Sequence, residues 1–362
     1  MKKAAAFVMV LAIIMASGIS ALAAGEPGTS IDKAMGYYRE QSAQEDFSKN
    51  FWHSAIAATV DGLKMDTRYE KLYTPAADID VTEETMPTEI AGHIISQLLD
   101  GKKKDAVKTY SDILVSRQGE DGEFWFMSFS GEKVSSVENI AFSMWALDMA
   151  DGEYNVESAV NALAKKQKAD GGFNEYGETG SVDSTGFVII ALARNKDSAS
   201  KDIVARALDF LAGTKNENGY FVGQGEYDRA NSCSQAVAIL ALIAAREDIK
   251  SDRWSTNGKS PVAVLEENQD ENGGFWYNIE DKTMEGAFFT APDGMSTEQA
   301  VLAIASANSK NIVFYQIGGA RFGPDVKMIW FIVLSVAGIA AAIGIGVVAA
   351  SVINKKRETK AQ

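Results

Sequence analysis

Four times along this chain a polar residue, a turn and an aromatic recur at fixed spacing: "QGEDGEFWF" from Gln118, "QKADGGFNEY" from Gln167, "TKNENGYFVG" from Thr214 and "QDENGGFWYN" from Gln269. The glycines that anchor these stretches, Gly122, Gly171, Gly219 and Gly273, are 49, 48 and 54 residues apart. A period in that range marks a repeat architecture, in which each unit buries its apolar face only by stacking on its neighbours. Each turn follows a helical pattern with one apolar stripe, as at Val160, Leu163 and Ala164. After a polar loop comes a second helical pattern that is apolar around most of its circumference, as at Val188, Ile189, Ile190, Ala191 and Leu192. A striped helix covers a surface, and an all-round apolar one is enclosed. The unit is therefore an outer helix, a glycine turn, a loop and an inner helix.

Within the turn, the glycine supplies left-handed backbone that ends the outer helix. The aromatic packs back over that helix end, and the glutamine one turn earlier hydrogen-bonds loop backbone. A part present in every unit serves the scaffold, so its expected job is bracing one hairpin against the next. Inner helices are expected near 48–62, 87–99, 136–150, 183–194, 231–246 and 296–308. Six helical hairpins give an all-α fold, an (α/α)6 toroid over residues 24–309. Periodicity alone leaves open whether the stack closes into a ring.

The two ends carry membrane signals. Lys2 and Lys3, an apolar run and small residues at "ALAAGEP" read as a signal peptide over residues 1–23. Residues 328–353 are uncharged and, at about 1.5 Å per residue, reach about 39 Å, enough to span a bilayer. Lys355, Lys356 and Arg357 follow, as expected for a cytoplasmic tail at 354–362, with a stem at 310–327. The location expected is the cell membrane, single-pass, with the N-terminal domain outside. A small-residue stripe at Gly338, Ala342, Gly346 and Ala350 offers a seat for a second helix, in a dimer or a transporter partner.

The formal charge of −14 becomes more negative once the basic ends are set aside, which excludes a nucleic-acid partner. Cys233 is the single cysteine, so no internal disulfide forms; with no N-x-S/T sequon, this fits a bacterial surface.

Gln-x-x-x-Gly-x-aromatic at Gln118, Gln167 and Gln269 resembles the QW motif of squalene and hopene cyclases, and the hairpin period resembles the protein prenyltransferase β-subunit; both are (α/α)6 toroids. With "GMSTEQAVLAI" and the signal peptide, the chain resembles secreted bacterial prenyltransferase/squalene-oxidase-repeat proteins, which are similar to the α-domain of the cobalamin carriers intrinsic factor and transcobalamin. The resemblance implies the fold and leaves the activity open among cyclases, transferases, carriers and thioester proteins. The cyclase segment D-x-D-D-T-A corresponds to "SVDSTG", with Asp183 at the middle acid, Thr185 kept, and serines at Ser181 and Ser184. The zinc ligands of the prenyltransferases have only His53, His93 and an out-of-register Cys233 to match, so no metal or cofactor is expected. A Gly-Cys-Gly-Glu-Gln thioester segment is missing.

Polar groups at the inner-helix starts, Glu89, Glu138, Asp183, Asn231 and Glu298, gather at one mouth in a toroid. Capping is their expected role, with "SSVE" at Ser135 as a capping box, "STE" at Ser296 as a first-turn acid and Asp183 with Ser184 as an N-cap; a shared pocket is the alternative. Trp52, Phe142, Trp145 and Phe187 are the aromatic exceptions on Ala-, Val- and Ile-rich inner helices. The last loop is lengthened by "NIEDKTMEGAFFTAPDGM", placing Phe288 and Phe289 as a lid or a partner-binding knob. Trp125, Tyr176, Tyr227, Trp276 and Tyr277 stand in the loops as available sugar platforms, and the acidic "DIDVTEE" from Asp78 lacks EF-hand spacing and reads as a solvated loop. The ligand-binding set expected is Glu138, Trp145, Asp183, Phe187, Asn231, Glu298, Phe288 and Phe289, with Asp183 the one candidate catalytic acid. The function expected is capture of a small molecule, peptide or glycan without catalysis. The alternatives are a terpenoid-cyclase-like lyase, a glycan-active hydrolase, or a structural partner of another membrane protein.

Overall fold

Among the described residues, every inner helix but one begins where a short polar side chain turns back onto the backbone. The side chains of Ser136, Ser181, Asn231 and Asp293 accept from the backbone N–H three residues on, at Asn139 (3.1 Å), Ser184 (3.1 Å), Ser234 (2.7 Å) and Ser296 (2.8 Å). Each bond satisfies an amide that a helix start leaves unpaired. A computed structural model describes residues 29–42, 78–99, 103–193, 195–222, 229–279, 290–310 and 312. The four caps start α4 (Val137–Ala150), α6 (Val182–Leu192), α8 (Ser232–Ala244) and α10 (Gly294–Ser309). The fifth inner helix, α2 (Pro87–Leu99), opens on a proline. The outer helices are α1 (Ser30–Ser42), α3 (Lys104–Ser116), α5 (Val156–Lys166), α7 (Ser198–Gly213) and α9 (Pro261–Glu266).

Burial separates the two kinds as their patterning requires. Every residue of α8 is buried, whereas α5 buries only Ala159, Val160, Ala162 and Leu163. Ala164, placed on the stripe by sequence, is exposed, and Ala162 takes its place. The inner helices pack in series, α2 on α4, α4 on α6, α6 on α8 and α8 on α10. Gly186 permits close approach of α6 to α8, since a Cβ there would lie 2.5 Å from Val237. Two strand pairs interrupt the all-α pattern, β1 (Phe126–Met127) with β2 (Lys133–Val134) and β3 (Phe275–Trp276) with β4 (Pro292–Asp293), in the loops leading to α4 and α10.

The repeated turn ties three elements at once. Gly122, Gly171, Gly219 and Gly273 all have φ between 88° and 94°. In each turn the glycine N–H donates to the carbonyl three residues back, as from Gly171 to Lys168 at 3.0 Å. The outer helix has already ended several residues earlier, so the glycine closes a tight turn and does not cap the helix. The aromatics Phe124, Phe173, Phe221 and Phe275 are fully buried. The inner helix holds three of their amides: Phe173 donates to Thr185 Oγ1 (2.8 Å), Phe221 to Gln235 Oε1 (3.0 Å) and Phe275 to Thr297 Oγ1 (2.9 Å). Thr185, matched above to a cyclase motif, thus has a scaffold role. The polar residue four before the glycine reaches the next outer helix, its cap or the segment leading to it: Gln167 to Ile203 O (3.0 Å), Gln118 to Asn155 O (2.8 Å) and Lys215 to Arg253 O (2.6 Å). Lys215, and not Thr214, is therefore the third copy's equivalent of the glutamine.

The last turn closes the ring. Gln269 Nε2 donates to Ser30 O (2.6 Å) at the start of α1, and Tyr37 and Tyr38 of α1 donate to Pro292 O and Gly294 O, each at 2.9 Å. The first outer helix is thus bound to the last repeat much as α5 and α7 are bound to the turns before them.

The chain divides into two units, residues 1–320 and 321–362, and the second lies wholly outside the described residues. The expected signal peptide, the inner helix at 48–62 with Trp52 and His53, Tyr227, Phe288, Phe289 and the span at 328–353 also lie outside them. Among the described residues no helix is long and apolar enough to cross a membrane.

A Cβ at Gly273 would meet Lys33 O at 2.0 Å, whereas at Gly131, also with positive φ, it meets open space. Gly273→Ala is therefore expected to destabilise by about 3 kcal/mol, from left-handed backbone plus the clash, and Gly131→Ala by about 1 kcal/mol from backbone alone. Chemical denaturation of both variants checks this; equal losses would mean that the closing turn carries no special load.

Candidate active site

Because the four caps are equivalent, the residues that follow them line up around one mouth. Two positions after the cap stand Glu138 on α4, Asp183 on α6 and Cys233 on α8; on α10 the acid is the cap itself, Asp293. Four residues further along α4 and α6 come Phe142 and Phe187, about one helical turn, or ~6 Å, deeper. Their rings meet edge to face at 4.8 Å, with Trp145 buried behind Phe142 at 5.6 Å. The mouth is thus acidic at its rim and aromatic one turn in.

Asp293 is held from several sides. Ser296 donates to it twice, from N–H (2.8 Å) and Oγ (2.6 Å), while Tyr37 and Tyr38 fix the carbonyls of the residues on either side. Burial pushes its carboxyl above the usual range, against the bonds from Ser296 and Met295, which favour the charged form. Tyr277 is brought in by backbone pairing, its carbonyl accepting from Ser232 N–H (3.0 Å) at the start of α8. Burial raises the Tyr277 phenol, and the charges of Cys233, Asp183 and Asp293 raise it further. Cys233 lies 3.6 Å from Ser296 Oγ; burial drives its thiol far up, against that contact, with Asp183, Asp293 and Glu298 adding to the rise. Tyr38 is raised by burial first and then by Glu298, Tyr37 and Asp293. Asp183 and Asp293 therefore act on the same two groups, Tyr277 and Cys233, which stand between α6 and α10.

The remaining predicted residues fall as follows. Glu138 accepts from Ser184 Oγ and so couples α4 to α6. Ser136, not Ser135, caps α4, and Ser181, not Asp183, caps α6, so Asp183 is a first-turn acid with no capping duty. Asn231 is the cap of α8 and is buried. Glu298 does not begin a helix: α10 starts at Gly294, and Glu298 sits in its second turn, 1% exposed. Phe187 is half-buried at the mouth, Trp145 is core and Glu89 is exposed. The acidic stretch from Asp78 is clamped, since the buried Arg117 guanidinium donates to Thr82 O and Thr85 O. His93 is buried with its ring 4.4 Å from that of Tyr110. Among the described residues no three His, Cys, Asp or Glu side chains group as a metal site.

Sequence reasoning missed Asp293 and Tyr38, and offered Tyr277 only as a sugar platform in a loop. Asp293 was findable, because Ser136, Ser181 and Asn231 set a cap position whose counterpart in the last unit is Asp293. The tyrosines had no local signal; one comes from the far end of the ring and the other from a loop.

No protein-family model matches the sequence, and no curated protein does. Solved structures do. An unsaturated glucuronyl hydrolase from Bacillus sp. GL1, responsible for the degradation of glycosaminoglycan, superposes with a TM-score of 0.53 at 12% identity, over 77% of this chain and 96% of its own. A possible member of the GH105 family from Salmonella enterica gives 0.52 at 8%, over 79% and 95%. A type II terpene cyclase from Scytonema gives 0.51 at 11%, over 78% and 96%. The fold is an α/α toroid. The expectation of a capture module without catalysis is corrected by this comparison: the neighbours are mainly enzymes acting on glycans, and the glycan-active hydrolase alternative accords with them.

With its thiol buried and its pKa raised, Cys233 carries almost no thiolate. At pH 8 a thiol reagent is expected to label the native chain at least ~100-fold more slowly than the urea-unfolded chain. Rapid labelling of the folded protein would contradict the placement of this residue.

Proposed function

We propose that the chain is a glycan-active hydrolase that cleaves a glycosidic bond held at the mouth of the ring. The observation that carries this reading is the pair Asp183 and Asp293, both half-buried, on helices flanking α8, with Tyr277 and Cys233 answering electrostatically to both. Glycoside hydrolysis asks for two carboxyl groups in unlike environments, one keeping its proton and one ionised. Asp293, raised by burial, suits the proton donor to the leaving oxygen. Asp183, at a helix N-terminus where negative charge is favoured, suits the carboxylate that takes a proton from the attacking water as the anomeric C–O bond breaks. Glu298 is enclosed, so it does not compete for these roles. The neighbours' names supply a class to test first, glycans ending in an unsaturated glucuronyl unit, beside neutral oligosaccharides. The setting is the outer face of a membrane, supported by the uncharged run 328–353 and the basic residues after it.

A second reading draws on Phe142 and Phe187, whose paired rings lie one turn below Asp183. Such rings can stabilise a carbocation generated by proton transfer to an isoprenoid, as in a terpene cyclase.

The test is release of reducing ends from a panel of oligosaccharides by the full chain, with Asp183→Asn and Asp293→Asn in parallel. Each variant is expected to lose ~10²–10⁴ in kcat while keeping its melting temperature, since asparagine caps a helix as aspartate does at 293 and has nearly the same volume at 183. No turnover on any glycan, with turnover of an isoprenoid, would replace this reading by the second.

The pH profile follows from the sign of the Asp293 shift. A donor acts only while protonated, so activity holds below its raised pKa and falls as pH climbs through it. That alkaline limb is expected at higher pH than an ordinary aspartate allows; a limb in the ordinary aspartate range would remove Asp293 from the role.

A further inference from the structure

Among the rings offered as sugar platforms, most are already engaged. Trp125 has Lys133 Nζ 3.6 Å above its centroid, and Trp276 donates to Asp270 at 2.9 Å. Among the described residues two aromatic side chains stand in water instead: Phe129, 103% exposed, and Tyr176, 83% exposed. Both lie on the loops that run into the helices bearing Glu138 and Asp183.

Their supports are ordered. Phe129 tops the β1–β2 hairpin, whose turn is closed by Ser128 N–H to Glu132 O (2.9 Å), Gly131 N–H to Ser128 O (2.9 Å) and Glu132 N–H to Ser128 Oγ (3.2 Å). Tyr176 sits in a loop stapled by Asn174, which accepts from Tyr176 N–H (3.1 Å) and donates to Thr179 O (3.2 Å). The two loops are joined, since Glu175 accepts from Val137 N–H (3.1 Å), three residues past β2. A large apolar ring held in water by a rigid loop costs solvation and gains nothing within the fold.

From this we infer that Phe129 and Tyr176 form an outlying subsite for an uncharged oligosaccharide that runs from the mouth across the rim; the inference rests on the hydrolase reading. The C–H face of a pyranose stacks on an aromatic face, whose negative potential attracts polarised hydrogens, while its hydroxyl edge takes hydrogen bonds. Ser130, Asn174 and Thr179 supply polar partners beside the rings. Charge selects the class. Exposed Glu132 and Glu178 flank the rings, and Glu138 and Asp183 stand at the mouth, so a uronate chain or an anionic membrane is repelled. A protein partner requires a contiguous apolar patch, whereas these are single rings among polar residues.

The experiment is calorimetric titration of the full chain with cellohexaose, xylohexaose, chitohexaose and a hyaluronan hexasaccharide, using the Asp293→Asn background to prevent turnover. The paired change Phe129→Ala/Tyr176→Ala is expected to weaken binding of at least one neutral hexasaccharide about tenfold and of its trisaccharide less than about twofold, with an unchanged melting temperature. Equal affinity with and without the two rings, binding of none of the neutral probes, or equally tight ring-dependent binding of the hyaluronan probe would each overturn the subsite. Ring-dependent vesicle binding or dimerisation would overturn it as well, in favour of those partners. Ring-dependent binding without hydrolysis by the unmodified chain would sink the hydrolase reading alone, and hydrolysis indifferent to the rings would sink the subsite alone.

Discussion

The left-handed glycine turn is the constraint on which the ring depends. At φ near 90° the backbone reverses so tightly that the turn lies directly against the next outer helix, leaving 2.0 Å between a notional Cβ and Ser158 O or Lys33 O. Only glycine fits both the torsion and the space. From that one point the preceding side chain reaches outward to the neighbouring helix and the following phenylalanine inward to the core. A helical hairpin with one enclosed member has no stability by itself, so these lateral ties make separate units into one cooperative body.

The scaffold was legible because each of its rules acts over a few residues. Turn spacing, apolar stripes and all-round apolar helices are local patterns, and they located every inner helix within the described residues to about two positions. The third turn shows where motif reading slips. Lys215 replaces glutamine there, and the ammonium donates to Arg253 O and Ser255 O much as the amides do elsewhere. What the turn requires is a long donor, and a search for glutamine therefore registers the copy one residue early.

The site was less legible because its chemistry depends on helix phase and on long-range closure. Taking "STE" as the start of the last inner helix shifted the reading by a turn, which put Glu298 at the mouth and hid Asp293. Only the closing of the ring brings Tyr38, from the first outer helix, against Gly294. Burial raises Asp293, and Tyr277 is raised by burial and then by Cys233, Asp183 and Asp293, which lie on three helices far apart in sequence.

The orientation of the inner helices then limits what the mouth accepts. Several inner-helix N-termini open on one rim, and their positive dipole ends favour negative charge there. In an empty rim that field would draw an anionic ligand. Here Glu138 and Asp183 occupy the first turn of two helices and Asp293 the cap of a third, with Glu298 beneath, so the favourable positions are already filled by the protein's own carboxyl groups. A further anion would meet their repulsion without a compensating dipole. An uncharged ligand meets no such penalty. The ring therefore shares its fold with an unsaturated glucuronyl hydrolase, while its own rim is already occupied by carboxyl groups of the protein.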